Sequence, residues 1–349
     1  MTQSVRSGEE LDVTKVKAFL EKHLSDIPKD EPVQVEQYYA GASNLTYLLS
    51  CGEWQGVLRR PPFGPLPAKA HDMKREYGIL SRLHPVFPLA PKPYILGEDD
   101  TVMEATFYVM ERKQGIVIDQ SLPEGIQATE DLGRELSHTF IDTLAALHQV
   151  DAEAAGLHTF GRPEGFMERQ VHGWIKRYER AKTEEIPEYE KLKKWFLDNI
   201  PADKETTVIH NDFKFNNLLF SNDLRQVKAV VDWEMATIGD PLFDLGAVLS
   251  YWVQQDDSEL LQSTFPTITK EPGFLNRREL IQRYAEKTGR DCSSLHFYQV
   301  FAYFKLAVIV QQIYFRWKNG QTEDERFRHY GQRGTNLIKY AWKFLNEGE

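Results

Sequence analysis

The chain has 349 residues, enough for two ordinary domains or one bilobal unit, and its 41% hydrophobic and 27% charged content reads as a soluble globular protein. Forty-two Lys and Arg against 52 Asp and Glu give a formal charge of −10, which argues against a broad nucleic-acid or anionic-membrane surface but leaves room for a local basic pocket. Only Cys51 and Cys292 occur, far apart, so no disulfide framework or paired-Cys zinc motif is available and a reducing, cytoplasmic setting is the simpler expectation.

Residues 1–8 lack the apolar core of a signal peptide. Asp12 is placed to cap a helix carrying Val13, Val16, Leu20 and Leu24 on one face, expected to pack on the body of the protein. From Val33 the period drops to two. Residues 33–39, 45–51 and 55–59 read as strands of an antiparallel sheet. Gly41-Ala42-Ser43-Asn44 joins the first two, either as a plain hairpin turn or as a small-residue loop whose backbone N–H groups approach phosphates. Arg59 ends the third strand, with Arg60 as its rival, and the Pro-rich run 60–67 predicts an irregular loop. A helix follows over 72–80, with Met73, Tyr77 and Leu80 on one face and Glu76 among them. Strands at 94–96 and 107–110 flank a turn at 98–100.

Beyond Gly115 the pattern turns helical. Leu136, Phe140, Leu144 and Leu147 form a core-facing stripe that ends at His148, read as a packing or capping residue. Amphipathic helices are expected over 171–180 and 191–200. Arg162, Arg169, Lys176, Arg177 and Arg180 form a basic cluster there, read as a solvated face, with an anionic-acceptor site as the sharper alternative. Residues 274–288, 295–317 and 324–345 predict a final bundle. The most apolar of these, 295–317, is interrupted by Lys305 and Arg316 and reads as a buried helix rather than a membrane span.

The chemistry concentrates between Val208 and Asp232. Val208-Ile209 leads into His210-Asn211-Asp212-Phe213-Lys214-Phe215-Asn216-Asn217, and Leu218-Leu219-Phe220 leads out. A further apolar run ends on Asp232. The arrangement suits phosphoryl transfer. Mg²⁺ takes oxygen ligands, usually one or two carboxylates plus phosphates, and Asn217 and Asp232 are the candidates. Asp212 is left to orient an acceptor hydroxyl and take its proton, and Lys214 to set a point charge near the moving phosphoryl group.

These residues, with Val231-Asp232-Trp233-Glu234 and Gly239-Asp240-Pro241-Leu242-Phe243-Asp244-Leu245, resemble the aminoglycoside phosphotransferase and choline kinase group, in particular the kinase-like domains fused to certain acyl-CoA dehydrogenases. The resemblance runs from about Val33 to Trp252. It implies an α+β, bilobal protein-kinase-like fold: an N-terminal antiparallel sheet plus helix over 1–112, and a mainly helical C-terminal lobe over 113–349. It implies ATP and Mg²⁺ as cofactors. Gly41, Ser43 and Asn44 would cover the nucleotide, Arg59 would grip phosphates and pair with Glu76, and Met110, Glu111 and Arg112 would form the interlobe hinge. His210 would hold the loop structurally. Asp244 would either cap the helix starting near Leu242 or brace the catalytic loop. The missing Ala-Pro-Glu segment argues against a protein kinase.

The expected activity is an ATP-dependent small-molecule kinase acting on a hydroxyl, with a hydroxyacyl-CoA or hydroxy acid as the acceptor the resemblance suggests. Aminoglycoside- or choline-type alcohols stay open. The rivals are a catalytically silent nucleotide-binding module and, last, a metal-dependent phosphohydrolase using His210, Asp212 and Asp232. No nucleic-acid or membrane partner is expected.

Overall fold

A computed structural model of the chain describes residues 2–39, 44–64, 71–202, 204–264, 267–322 and 324–347. The N-terminal half is built on a six-stranded, wholly antiparallel sheet. In chain order its elements are β1 (Thr2–Gln3), α1 (Val13–His23), β2 (Gln34–Tyr38), β3 (Leu45–Cys51), β4 (Trp54–Arg60), α2 (Met73–Leu83), β5 (Pro93–Gly97) and β6 (Phe107–Glu111). The spatial order is β1-β2-β3-β4-β6-β5. The two-residue β1 escapes sequence reading because it is too short to show a period.

Alternation divides the faces of this sheet. Tyr47, Leu49, Leu58, Phe107 and Val109 pack on the α1 side with Val16 and Leu20. Val57, Tyr108 and Met110 point the other way, into the core that contains α2 and continues through the rest of the molecule. Asp12 caps α1 by accepting from Lys15 N–H at 3.1 Å, as expected. Val13, however, is exposed, and Phe19 takes the place expected for it in the core, because the stripe turns toward Phe107.

The second half contains β7 (Ile116–Val117), α3 (Glu130–His148), α4 (Phe166–Ala181), α5 (Pro187–Asp198), β8 (Thr207–Ile209), β9 (Leu218–Phe220), β10 (Val227–Val230), β11 (Thr237–Gly239), α6 (Pro241–Tyr251), α7 (Glu259–Thr264), α8 (Arg277–Thr288), α9 (Leu295–Lys318) and α10 (Tyr330–Glu347). The fold is α+β and protein-kinase-like, with two lobes. Helix α8 begins at Arg277, later than the pattern predicts, because Asn276 and Glu279 form a reciprocal capping box there.

Helix α9 is the spine of the helical lobe, packed against α6, α4 and α10. Its approach to α6 depends on Gly246, where a Cβ would lie 2.9 Å from the Tyr298 carbonyl oxygen. No helix among the described residues is long and apolar enough to cross a membrane.

Candidate active site

The site is assembled from one strand, one helix and two loops. Residues two apart on a strand share a face, so Arg59 follows Val57 toward α2 while Arg60 follows Leu58 toward α1. Asp72 caps α2, and Glu76, one turn in, faces the sheet. Arg59 Nη1 therefore donates to Glu76 Oε1 at 2.8 Å in a pair that is almost wholly buried. Arg60 instead donates to Pro61 O at 3.2 Å and lies 3.8 Å from the Phe63 ring centroid. Arg59 is thus the cation that meets the helix.

Arg59 also reaches across to the second half of the chain. Its Nη2 donates to Asp232 Oδ1 at 3.0 Å and lies 3.7 Å from Glu234 Oε2. Asn44 donates to Glu234 at 2.6 Å and receives His71 Nδ1 at 2.8 Å on its own oxygen. Gly41 and Ser43, the other small residues expected to cover a nucleotide, lie outside the described residues. Burial works against the Arg59 charge, but Glu76, Tyr108 and Asp232 more than offset it and hold the guanidinium above its ordinary range. Burial pushes Glu76 up to about 6, opposed by Arg59 and reinforced by the negative charge of Asp232.

Strands β8 and β9 present the loop between them. His210 Nε2 contacts Val231 O at 3.0 Å, and its Nδ1 lies 3.3 Å from Asp212 N. Asp244, fully buried on α6, accepts from His210 N–H at 2.7 Å and Asn211 N–H at 2.9 Å, with His148 Nε2 at 3.2 Å. Burial raises the Asp244 carboxyl, but His148, His210 and these hydrogen bonds outweigh it and hold it below the usual carboxylate range. Of its two expected places, bracing the loop is the observed one. The cap of α6 belongs to Asp240, which accepts from Leu242 N–H at 2.8 Å. His148 ends α3 fully buried and, beyond the packing or capping place expected for it, bridges Asp244 and Tyr284 OH, the latter at 2.7 Å.

Asn211 and Asp232 both have φ of 66°, a left-handed conformation that costs of order 1 kcal/mol for a non-glycine residue and that Asn and Asp tolerate best. His71 and Leu224 share this conformation, but at Asn211 and Asp232 it lies in the loops that follow β8 and β10. It turns Asp212 and Asp232 out of the strands that precede them.

Asp212 Oδ2 is occupied twice, by Lys214 Nζ at 3.0 Å and by Asn217 Nδ2 at 3.0 Å. Its Oδ1 makes no hydrogen bond among the described residues and can accept from a hydroxyl. Asn217 spends its nitrogen on Asp212, so its Oδ1 can serve as an oxygen ligand. The Asn217 carbonyl accepts from Val231 N–H at 2.9 Å, which ties it to the start of the Asp232 loop.

A hard divalent cation fits this donor set. Asn217 and Asp232 offer oxygens, and Arg59 alone stands among three carboxylates within 3.7 Å, a negative excess that such a cation would offset.

The hinge residues are engaged mainly with the sheet. Met110 is buried, Glu111 N–H is committed to Lys92 O at 2.8 Å, Glu111 pairs with Lys113 at 3.0 Å, and Arg112 donates to Gln55. The expected basic cluster disperses. Arg169 turns onto the Glu164 and Arg162 carbonyls, and Arg177 stacks on Trp174 at 4.5 Å.

A cavity of about 230 Å³ opens beside the loop, lined by Lys214, Asn216, Tyr251, Asp119 and Thr269 among others. A larger concavity of about 830 Å³ lies outside α2, between Asp72, Arg82 and Phe160, and touches none of the catalytic-loop residues. Two groups near the loop escaped site assignment in the sequence. Glu234 joins Arg59 and Asn44, and Lys305 stands on α9 with its Nζ 4.0 Å from the Phe243 ring centroid. The signal for Lys305 was its position as a cation inside an apolar helix.

Residues 34–266 match the model of the phosphotransferase enzyme family. The chain belongs to that family. It is 33% identical over 342 residues to acyl-CoA dehydrogenase family member 11 of Gallus gallus, covering 95% of this chain and 43% of that protein. The chain spans less than half the length of the curated relatives it matches.

Among solved structures, a Ralstonia eutropha JMP134 protein provisionally named an aminoglycoside phosphotransferase superposes with a TM-score of 0.84 at 28% identity, covering 97% of this chain and 100% of that one. A thermostable mutant of aminoglycoside phosphotransferase APH(4)-Ia, in a ternary complex with AMP-PNP and hygromycin B, has a TM-score of 0.58 at 15% identity, with 96% and 100% covered, and shares the fold. The resemblance read from the sequence is therefore met. The protein is a small-molecule phosphotransferase that uses a hydroxyl acceptor.

Proposed function

We propose that this phosphotransferase moves the γ-phosphoryl group of ATP to the hydroxyl of a small organic acceptor, with Mg²⁺ as the metal. The observation that carries the reading is the meeting of Arg59, Glu76 and Asp232 directly beside a loop in which Asp212 keeps one carboxylate oxygen free. In this reading the N-terminal lobe, residues 1–112, covers the nucleotide. Residues 113–349 carry the loop and the acceptor.

Arg59, held by Glu76, binds phosphate oxygens through its planar fork. Asn44, held by Glu234, lies beside the same region, and Met110, Glu111 and Arg112 are assigned to the hinge. Asn217 and Asp232 would hold Mg²⁺, which would supply positive charge to offset the charge that develops in phosphoryl transfer. Asp212 Oδ1 accepts the acceptor's O–H hydrogen bond and takes its proton as the oxygen attacks phosphorus. The Lys214 ammonium, 3.0 Å from Asp212 Oδ2, sets a point charge near the transferring group. Such catalysis is chiefly positioning and charge stabilisation.

The names of the curated relatives favour a hydroxyacyl group, as a hydroxy acid or its CoA thioester, over an aminoglycoside or choline. Two unpaired thiols, Cys51 and Cys292, support a cytosolic setting.

The test is transfer of labelled phosphate from Mg·ATP to separate pools of hydroxy acids, hydroxyacyl-CoAs, aminoglycosides and cholines. Wild-type transfer to one pool that falls about 10²–10⁴-fold in Asp212→Asn, with ATP affinity retained, supports the reading. Equal rates in both proteins would remove Asp212 from the chemistry.

A further inference from the structure

The concavity outside α2 takes no part in the machinery described so far. Its volume is about 830 Å³, within the range of small-molecule clefts, about 300–1,000 Å³. One wall is α2, from the N-terminal lobe, and the other is the segment 159–162, from the helical lobe. The walls meet at Gly78, where a Cβ would lie 2.9 Å from the Phe160 ring.

The lining runs against the charge of the chain. The formal charge is −10, yet Lys74, Arg75, Arg82 and Arg162 line this concavity against a single carboxylate, that of Asp72. Asp72 is engaged as the α2 cap, accepting from Arg75 N–H at 2.9 Å. Lys74 pairs with Glu98 at 3.0 Å. The three arginines make no ion pair among the described residues. Arg82 donates to Gly78 O at 3.2 Å and lies 5.0 Å from the Phe160 ring centroid. Carbonyls and rings carry no counter-charge. Guanidinium groups gathered on one hollow repel each other, and an anion with several oxygens relieves that repulsion through paired hydrogen bonds.

Arg75 ties this concavity to the candidate active site. Its Nη2 donates to Phe160 O and to Ala236 O, both at 2.8 Å, and so staples α2 to two segments of the helical lobe. Ala236 follows Asp232 and Glu234 on one stretch of chain. Glu76, next to Arg75 on α2, holds Arg59 at 2.8 Å. With Nη2 on the carbonyls, Arg75 Nε and Nη1 bond nothing among the described residues and are left for a ligand. An anion bound there adds to the staple instead of breaking it. It thereby favours the arrangement in which Arg59 meets Asp232.

We propose that this concavity is a second ligand site, for a small organic molecule bearing two or more carboxylates or phosphates, and that Arg75 couples its occupancy to nucleotide binding. The site stands on its own lining. The coupling rests on the reading in which Arg59 grips the nucleotide. Coupling of two sites is reciprocal, so the anion and the nucleotide should tighten each other by the same factor.

Calorimetry measures the binding of citrate, fructose bisphosphate and neutral glucose to wild type, Arg82→Gln, Arg162→Gln and Arg75→Gln. Each titration is run with and without AMP-PNP at constant free Mg²⁺, and AMP-PNP is titrated with and without each anion. Arg82 and Arg162 are exposed, so their substitution leaves the core intact.

Wild type should bind citrate or the bisphosphate and not glucose, and Arg82→Gln and Arg162→Gln should each weaken that binding about tenfold. AMP-PNP and the anion should tighten each other at least about fivefold, an effect that Arg75→Gln removes. A merely structural Arg75 would lower AMP-PNP affinity equally with and without anion and leave that ratio unchanged. Preference for citrate identifies carboxylate as the group recognised, and preference for the bisphosphate identifies phosphate. No anion binding by wild type, binding indifferent to Arg82 and Arg162, or anion and AMP-PNP that compete or ignore each other would overturn the inference. Mutual tightening without phosphate transfer to any acceptor would instead strike the phosphotransfer reading alone.

Discussion

Replacing Asp244 with Asn probes whether the catalytic loop is held from beneath. The wild-type carboxylate is fully buried and accepts from two successive backbone N–H groups, those of His210 and Asn211, at 2.7 and 2.9 Å, with His148 at 3.2 Å. An amide has one accepting oxygen. One of the two N–H groups must then face an NH₂ donor, and the surviving bond loses its charge assistance. A buried, unsatisfied N–H costs about 1–3 kcal/mol, and a charge-assisted bond is worth about 1.5–3 kcal/mol. A loss of about 3–5 kcal/mol follows.

For a chain of this length the unfolding entropy is of order 0.7 kcal/mol/K, so Tm should fall by about 4–7 °C if unfolding is concerted. Asp212 lies one residue beyond Asn211, and displacement of the loop should lower kcat at least about tenfold while the KM for ATP, which the proposed function assigns to Arg59 and Glu76, should change little. Urea unfolding and steady-state kinetics of Asp244→Asn measure both. Because the Asp244 carboxyl is held below its ordinary value, its stabilisation is complete above that value and lost as pH falls through the folded one. The stability gap between variant and wild type should therefore be flat from about pH 5 to 8 and close only in stronger acid. A variant within about 0.5 kcal/mol of wild type and with full kcat would refute the brace.

Arg59→Met should raise the KM for ATP at least about tenfold, and Glu76→Gln should do so less. The double variant should be no worse than Arg59→Met, because Glu76 acts through Arg59; additive losses in the double-mutant cycle would contradict that coupling. Asp232→Asn should raise the Mg²⁺ concentration needed for half-maximal transfer, and chelation of the metal should abolish turnover reversibly. Full activity in excess chelator would exclude the proposed metal site.

Burial lowers the Lys305 ammonium to about 8, opposed by Asp244 on α6, reinforced by Arg177 on α4 and opposed by Asp212 in the loop. Between that value and the ordinary 10.5 the unfolded chain binds more protons than the folded one, so stability should rise with pH across this window. The ceiling is about 3 kcal/mol, reduced to the order of 1 kcal/mol by partial exposure. Chemical denaturation from pH 7.5 to 10 should show the slope in wild type and lose it in Lys305→Met; equal slopes would assign the proton elsewhere.

The sequence by itself determined what local periodicity and short spacing can encode. Alternation set Arg59 opposite Leu58, with the family resemblance giving Arg59 rather than Arg60 the pairing with Glu76, and the strand-flanked loop from His210 to Asn217 with Asp232 beyond it was legible as one unit. Both depend on neighbours within a strand, a turn or a hairpin. Periodicity misjudged the exposed Val13, which non-local packing settles, and the start of α8, which a local capping box sets.

Only the tertiary structure decided which distant groups meet. Nothing local selects Asp244 over Asp240 to hold the loop, since both lie near the start of α6; the turn of the helix aims one at its own N–H and the other at His210. The same holds for Lys305, which reads as a mere interruption of an apolar helix until α9 packs on α6 and α4. Apolar helix faces are nearly interchangeable partners in sequence. Their close packing, which admits only one interlocking arrangement, fixes which charge ends against Phe243 and Trp174.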